Sequence, residues 1–203
     1  RCCSWSRGLG DVYKRQREVR DRLGLSRMVF VPAGEPPHKL DKRLADPEHR
    51  LAMVRLAIAG QAHFAVSRMD LDRPGPCYSV DTVRLFQDAL GAGAHLYFLI
   101  GADSLAELAT WYRPRRLLRL CQVVAVERPG YAVAREETER LFPGAPPVVH
   151  VRLRSPVDVS STEIRRRVAQ GCSIRGLVSG AVEQYIQRHG LYRDTASRPG
   201  AKT

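Results

Sequence analysis

Two kinds of hydrophobic pattern alternate along this chain: short, nearly continuous apolar runs, and longer stretches with apolar positions every three to four residues. Arg27 to Pro32 (RMVFVP) is a run of the first kind, closed by proline, and predicts a strand. A helix follows with a strong start signal: Asp46 as N-cap, Pro47 at the first helical position and Glu48 in the first turn. Leu51, Val54 and Ile58 form its apolar stripe, Arg55 lies on the charged side, and Gly60 predicts the stop. Phe64 to Ser67 predicts a second strand. Ser79 is read as the cap of a helix carrying Val80, Val83, Leu85, Phe86 and Leu90, ending near Gly91. His95 to Ile100 (HLYFLI) has the continuous apolar character of a parallel strand buried on both faces, and Gln122 to Val126 and Val148 to Leu153 repeat it. Two last helices are predicted over Thr162 to Gln170 and Ala181 to His189, the second with Val182, Tyr185 and Ile186 on one side and Gly190 as its end. Strands alternating with helices predict an α/β sheet with crossover helices, in one domain over 17–192.

The ends of the chain break this pattern. Residues 1–16 (RCCSWSRGLGDVYKRQ) show neither period, and an amphipathic segment starts only near Arg17. We read 1–16 as a leader outside the domain, disordered or foreign to a truncated reading frame. The polar tail 193–203 is expected to be disordered.

Composition narrows the class without naming it. A hydrophobic share of 44% and a charged share of 27% are ordinary for a globular domain. No apolar run approaches the roughly 20 residues that span a bilayer. Five scattered cysteines, an odd number without CxxC spacing, suit isolated thiols in a reducing compartment, the cytoplasm. The net charge of +12 fits an anionic substrate, a nucleic-acid surface or merely an arginine-rich solvated exterior.

Four segments carry candidate chemistry. Pro32-Ala-Gly-Glu-Pro-Pro-His-Lys39 follows a strand, where ligands of parallel sheets bind. Its prolines would hold His38 and Lys39 toward a phosphate; the plain alternative is a rigid loop with a solvated pair. Gly101-Ala-Asp103 ends the HLYFLI strand: glycine admits a ligand close to the backbone and aspartate accepts from ribose hydroxyls, while Asp103 could equally cap a helix. Trp111, just beyond, either stacks on a planar ring or packs in the core. In Val159-Ser160-Ser161-Thr162-Glu163-Ile164-Arg165, Ser160 and Glu163 have capping-box spacing. Such a helix end offers N–H groups to phosphate, with Ser161, Thr162 and Arg165 completing the cradle. Arg166 and Arg167 are read as an exposed face. Cys77-Tyr78-Ser79-Val80-Asp81-Thr82 begins a helix whose polar groups could reach the same crevice.

Taken in order, PAGEPPHK, ADPEHRLAM, CYSVDT, FLIGADSL with Trp111, the RPG at 128–130, VSSTEIR and AVEQYIQRHGLY resemble the bacterial nicotinate-nucleotide adenylyltransferases over roughly 17–192. The resemblance implies a doubly wound parallel sheet of Rossmann-like nucleotidyltransferase type. It implies transfer of AMP from ATP to nicotinate mononucleotide, with Mg²⁺ carried on the ATP phosphates. By the same resemblance Gly101 and Asp103 bind the adenosine side, and Ser161, Thr162 and Arg165 the phosphates. Trp111 stacks on the pyridine ring, and His38, Lys39 and Thr82 line the mononucleotide side. Tyr78, Asp81 and Arg128 are further candidates. No nucleic acid and no membrane is expected as a partner, and self-association stays open. Alternatives are an adenylyltransferase of this fold acting on nicotinamide mononucleotide, and a basic nucleic-acid-binding module. The family pattern GGTFDPxHxGH, with its strand and histidine pair, has no match in residues 1–16. The 203 residues are therefore expected to lack a catalytic histidine pair, to turn over little substrate, and to leave an unpaired strand edge inside the sheet.

Overall fold

The computed structural model describes residues 9–35, 44–91, 93–127, 135–154 and 160–193, with side chains from Gln16 onward and, in 135–141, from Thr138. Five strands lie among them: β1 (Met28–Phe30), β2 (Phe64–Val66), β3 (Tyr97–Gly101), β4 (Gln122–Glu127) and β5 (Val149–Arg152). The helices are α1 (Leu9–Leu23), α2 (Pro47–Ile58), α3 (Ser79–Leu90), α4 (Ala102–Ala106), α5 (Pro114–Leu120), α6 (Arg135–Leu141), α7 (Ser161–Ala169) and α8 (Gly180–Arg188), with a 3-10 turn at Leu108–Thr110.

All strand pairing is parallel, but it falls into two half-sheets, β1–β2 and β3–β4–β5. Helix α1 ties them together: Val19 shares a cluster with Met28 of β1, Val124 and Val126 of β4, and Val151 of β5. It also fixes direction. The Arg22 guanidinium donates to the Arg152 carbonyl, and one turn earlier Glu18 accepts from the Arg154 amide at 2.9 Å, so α1 runs against β5. A short turn at Gly24 (φ +62) reverses the chain into β1, which therefore points the same way as β5. The spatial order β2-β1, then β3-β4-β5, is that of a doubly wound sheet whose central position holds no strand among the described residues.

The continuous apolar runs have the cause expected of them. On β4, Val123 and Ala125 enter a core with α3, α4 and α5, while Val124 and Val126 enter the α1 core on the other face. β3 departs from double-sided burial at its start, where Tyr97 is 41% exposed beside the open centre. A third cluster joins α2, α7 and α8 through Met53, Ile164, Val182 and Ile186.

Three local expectations are corrected. Helix α1 reaches back to Leu9, into the stretch without a readable period. Gln16, Val19 and Leu23, at helical spacing, anchor it against the sheet, and extension from a packed turn is easy. The cap of α3 is Tyr78 rather than Ser79, whose side chain is buried as the first helical residue. Asp103 lies inside the first turn of α4, whose cap is Gly101. Helices α4, α5 and α6 span five to seven residues, too few to show a period.

Candidate functional site

Each segment singled out by its chemistry leaves a strand or opens a helix at the carboxyl ends of the sheet. From β1 the chain passes Val31 to Glu35 and runs beside the turn 70–77: Glu35 bridges Pro76, and the Cys77 amide donates to the Glu35 carbonyl at 3.1 Å. Gly34 sits so close that a β-carbon there would stand 2.5 Å from the Asp70 carbonyl oxygen. Gly34→Ala should therefore push the loop off that turn and cost about 1–3 kcal/mol, read as a lowered urea midpoint; an unchanged midpoint would show that the contact gives way freely.

Arg50 secures the same loop from α2. Its half-buried guanidinium donates to the carbonyls of Ala33 and Gly34 and, at 3.1 Å, of Ala45, clasping both described ends of the loop. Burial pulls its pKa down, and the nearby phenol of Tyr192 opposes that shift. The Tyr192 phenol is itself raised by burial, with Arg165 and Arg50 acting against it. Tyr192 thus stands between the β1 loop and α7. His38, Lys39 and Arg128 lie outside the described residues.

The first turn of α7 faces solvent. Ser160 caps it, its Oγ accepting from the Glu163 amide at 3.1 Å; Ser160 and Ser161 are half-buried and Thr162 is exposed. Only half of the expected capping box forms. The Glu163 carboxylate turns along the helix to Arg166 and Arg167 at 2.7 and 2.8 Å, and those guanidiniums hold its pKa down at about 2. Arg166 and Arg167 are therefore committed to Glu163, as suits a helix face. Arg165 instead donates to the Thr162 hydroxyl at 3.3 Å, within the open turn. An anion here would meet a helix N-terminus, two hydroxyls and one guanidinium.

At the tip of β3, Gly101 and Ala102 are buried. The Asp103 carboxylate folds back over Gly101 and fills the space a β-carbon would need, so glycine serves Asp103 itself before any ligand. Trp111, 5% exposed, packs edge-on to Phe98 with ring centroids 6.2 Å apart. Its indole N–H has no acceptor among the described residues. Tyr112 beside it is exposed and stacks on Tyr78 at 4.4 Å, with the Arg113 guanidinium 5.0 Å from its ring. The structure thus brings Tyr78 of α3 together with the Trp111–Tyr112 segment.

A buried network that sequence reasoning missed supports this side. Asp70, with 0% exposure, accepts from Thr82 Oγ1 at 2.7 Å and from Arg73 at 3.2 Å, and Arg73 also lies 3.9 Å from Asp81. Thr82 is accordingly buried, 3% exposed, with its hydroxyl directed to Asp70 rather than to the crevice. Asp70 had no local signal; it lies in an irregular turn whose partners come from α3.

Comparison with known proteins agrees with this layout. The cytidylyltransferase-like family model matches residues 16–167. A probable nicotinate-nucleotide adenylyltransferase of Roseiflexus sp. (strain RS-1) is 45% identical over 176 residues, covering 87% of each chain. One of Thermomicrobium roseum is 43% identical, over 86% of this chain and 81% of its own. In fold, the chain resembles the Plasmodium falciparum nicotinic acid mononucleotide adenylyltransferase complexed with NaAD, with TM-score 0.69 at 17% identity over 88% and 90% of the two chains. With strand tips, capped helix and this level of identity in agreement, the chain belongs to the nicotinate-nucleotide adenylyltransferases, within the cytidylyltransferase-like family.

Proposed function

We propose that this domain serves adenylyl transfer from ATP to nicotinate mononucleotide in NAD synthesis. The mononucleotide phosphate oxygen attacks the α-phosphorus of ATP, a new P–O–P bond forms, and the bond to the β-phosphate breaks. Deamido-NAD and pyrophosphate leave. No enzyme-bound intermediate is needed, so the protein's task is to align two anions and offset their charge.

The observation that carries this reading is the solvent-facing first turn of α7, where Ser161, Thr162 and Arg165 surround a helix N-terminus. We assign the ATP phosphates to that turn and the adenosine to Gly101 and Asp103. The mononucleotide goes to the side of Tyr78, Asp81, Thr82 and Trp111, with His38, Lys39 and Arg128 as further contacts. In this reading Thr82 acts through Asp70 by fixing the start of α3. Magnesium enters on the ATP phosphates as part of the substrate; among the described residues no group of three or more His, Cys, Asp or Glu could hold a metal. A cytoplasmic setting suits the thiols: Cys77, Cys121 and Cys172 are free, and burial pushes Cys121 up to about 12.

Because the 203 residues contain no GGTFDPxHxGH run, ligand binding is the direct test. Magnesium-ATP at 100 times its dissociation constant should add about 2.7 kcal/mol of stability, visible as a raised Tm. Nicotinate mononucleotide should do the same, and the amide analogue should do so more weakly. A melting curve indifferent to all three would sink the proposal.

A further inference from the structure

Among the described residues, one exposed aromatic ring carries a guanidinium on its face. Tyr112 follows the buried Trp111 and is 43% exposed. Its ring stacks on that of Tyr78, the cap of α3, with centroids 4.4 Å apart, and the Arg113 guanidinium lies 5.0 Å from the Tyr112 centroid. A cation held over an aromatic face gives up part of its freedom but keeps its charge and its N–H donors. Arg113 is exposed, and among the described residues no carboxylate pairs with it. That sets it apart from Arg68, Arg73, Arg166 and Arg167, each bound to an acid.

The backbone holds Arg113 there against its own preference. At φ 50 and ψ 54 it is one of two described non-glycine residues with positive φ, and Pro114 after it narrows the choice further. Such strain persists where the surrounding structure imposes it. Here Leu117 and Leu118, 1% and 2% exposed, anchor α5 in the core and fix the turn that precedes it. The outcome is a cation fixed at the end of the Trp111–Tyr112 segment.

In the proposed function, on which this inference rests, the mononucleotide lies on the side of Tyr78, Asp81, Thr82 and Trp111. Trp111 is 5% exposed, so the open aromatic surface of that segment belongs to Tyr112. The nicotinate and nicotinamide forms share ring, ribose and phosphate. They differ in one group, a carboxylate against a neutral amide. A guanidinium with no acid of its own makes a charge-assisted bond to a carboxylate and gains less from an amide. Asp81, an acid, cannot favour the carboxylate.

We propose that Arg113 selects the acid: carried on the Tyr112 ring, its guanidinium meets the pyridine carboxylate of nicotinate mononucleotide, a charge-assisted contact that nicotinamide mononucleotide lacks. Arg113 is thus a specificity-determining residue.

Calorimetric titration of the 203-residue chain with each mononucleotide reads the preference directly. Arg113→Asn removes the charge and keeps a residue that tolerates the left-handed backbone, so the free protein's Tm should hold. It should raise the Kd for nicotinate mononucleotide about tenfold, and that for nicotinamide mononucleotide by less than about twofold. Arg113→Lys keeps a point charge without the planar fork and should recover part of the preference. Added salt should narrow it in the wild type. Arg119→Asn, which removes an exposed arginine in the last turn of α5, should leave it unchanged. Equal weakening of both mononucleotides by Arg113→Asn would assign the guanidinium to the phosphate they share and overturn the proposal, as would equal losses at Arg113 and Arg119. A wild type that prefers the acid, with the preference intact in Arg113→Asn, would overturn this proposal alone. A wild type that binds neither mononucleotide would overturn the functional assignment beneath it as well.

Discussion

Replacing Asp70 by alanine is expected to lower stability by about 3 kcal/mol, among the largest effects of any single substitution in this fold. Removing one partner of a buried ionic network typically costs ~3–5 kcal/mol, because the other partner keeps its desolvation without its compensation. Asp70 is fully enclosed, whereas the Arg73 side chain is 20% exposed and regains some water, which places the effect at the low end. The loss has two further components. Thr82 Oγ1 loses its 2.7 Å acceptor inside the protein, and Asp81 then becomes the main anionic neighbour of Arg73. Asp70→Asn keeps an oxygen for Thr82 but removes the charge, and should fall between wild type and Asp70→Ala. Thr82→Val deletes only the hydroxyl and should cost about 1–2 kcal/mol. Urea unfolding with a common m value is the measurement, and an Asp70→Ala midpoint within 1 kcal/mol of wild type would refute the network's importance. The Asp70 carbonyl also meets Gly34 and accepts from the Cys77 thiol at 3.3 Å, so the same residue joins the β1 loop to the start of α3.

How much of this was legible in the sequence depends on how local each cause is. Helix α2 was readable because Asp46 and Pro47 act within one turn: Asp46 accepts from the Glu48 amide at 2.9 Å. The five strands were readable as short apolar runs, although only β4 is buried on both faces throughout its centre, while β1 exposes Val29 and β3 exposes Tyr97. The cap of α7 was visible in Ser160, but the direction of Glu163 was not. Two arginines one turn further on compete for its carboxylate and win, which spacing alone does not decide. Trp111 was left between stacking and packing, and its resting place against Phe98 depends on β3, an element of its own that no local spacing pairs with the indole. Asp70 and Arg50 were silent for the same reason: besides near neighbours such as Arg73 and Ala45, each is placed by partners 12 and 16 or 17 residues away, Thr82 for Asp70 and Ala33 and Gly34 for Arg50. The gap between β1 and β3 was foreseeable only through family resemblance, since an absent neighbour leaves no mark on the hydrophobic pattern of the strands that remain.

The electrostatics of α7 separate its three consecutive arginines, and so give the second large effect. Arg166 and Arg167 neutralise Glu163, and the pair of contacts keeps that carboxylate ionised at any pH well above about 2. The charge left over near the helix N-terminus is that of Arg165, whose guanidinium is held, among the described residues, by a 3.3 Å bond to Thr162. A phosphate bound there would exchange this weak neutral contact for a charge-assisted one, worth about 1.5–3 kcal/mol. Arg165→Ala should therefore raise the Kd for magnesium-ATP about 10- to 100-fold in calorimetric titration, with little change in Tm of the free protein. Arg165→Lys should recover part of the loss, because a point charge replaces the planar fork. Arg166→Ala should change ATP affinity less than threefold, its guanidinium being directed away from the turn. Ser160→Ala removes the cap and should cost about 1 kcal/mol of stability while weakening ATP through the frayed turn. Added salt should shrink the Arg165 effect, as screening weakens exposed charge pairs. Equal losses at Arg165 and Arg166 would mean that ATP responds to the total charge of the helix, and the phosphate site would have to be sought elsewhere.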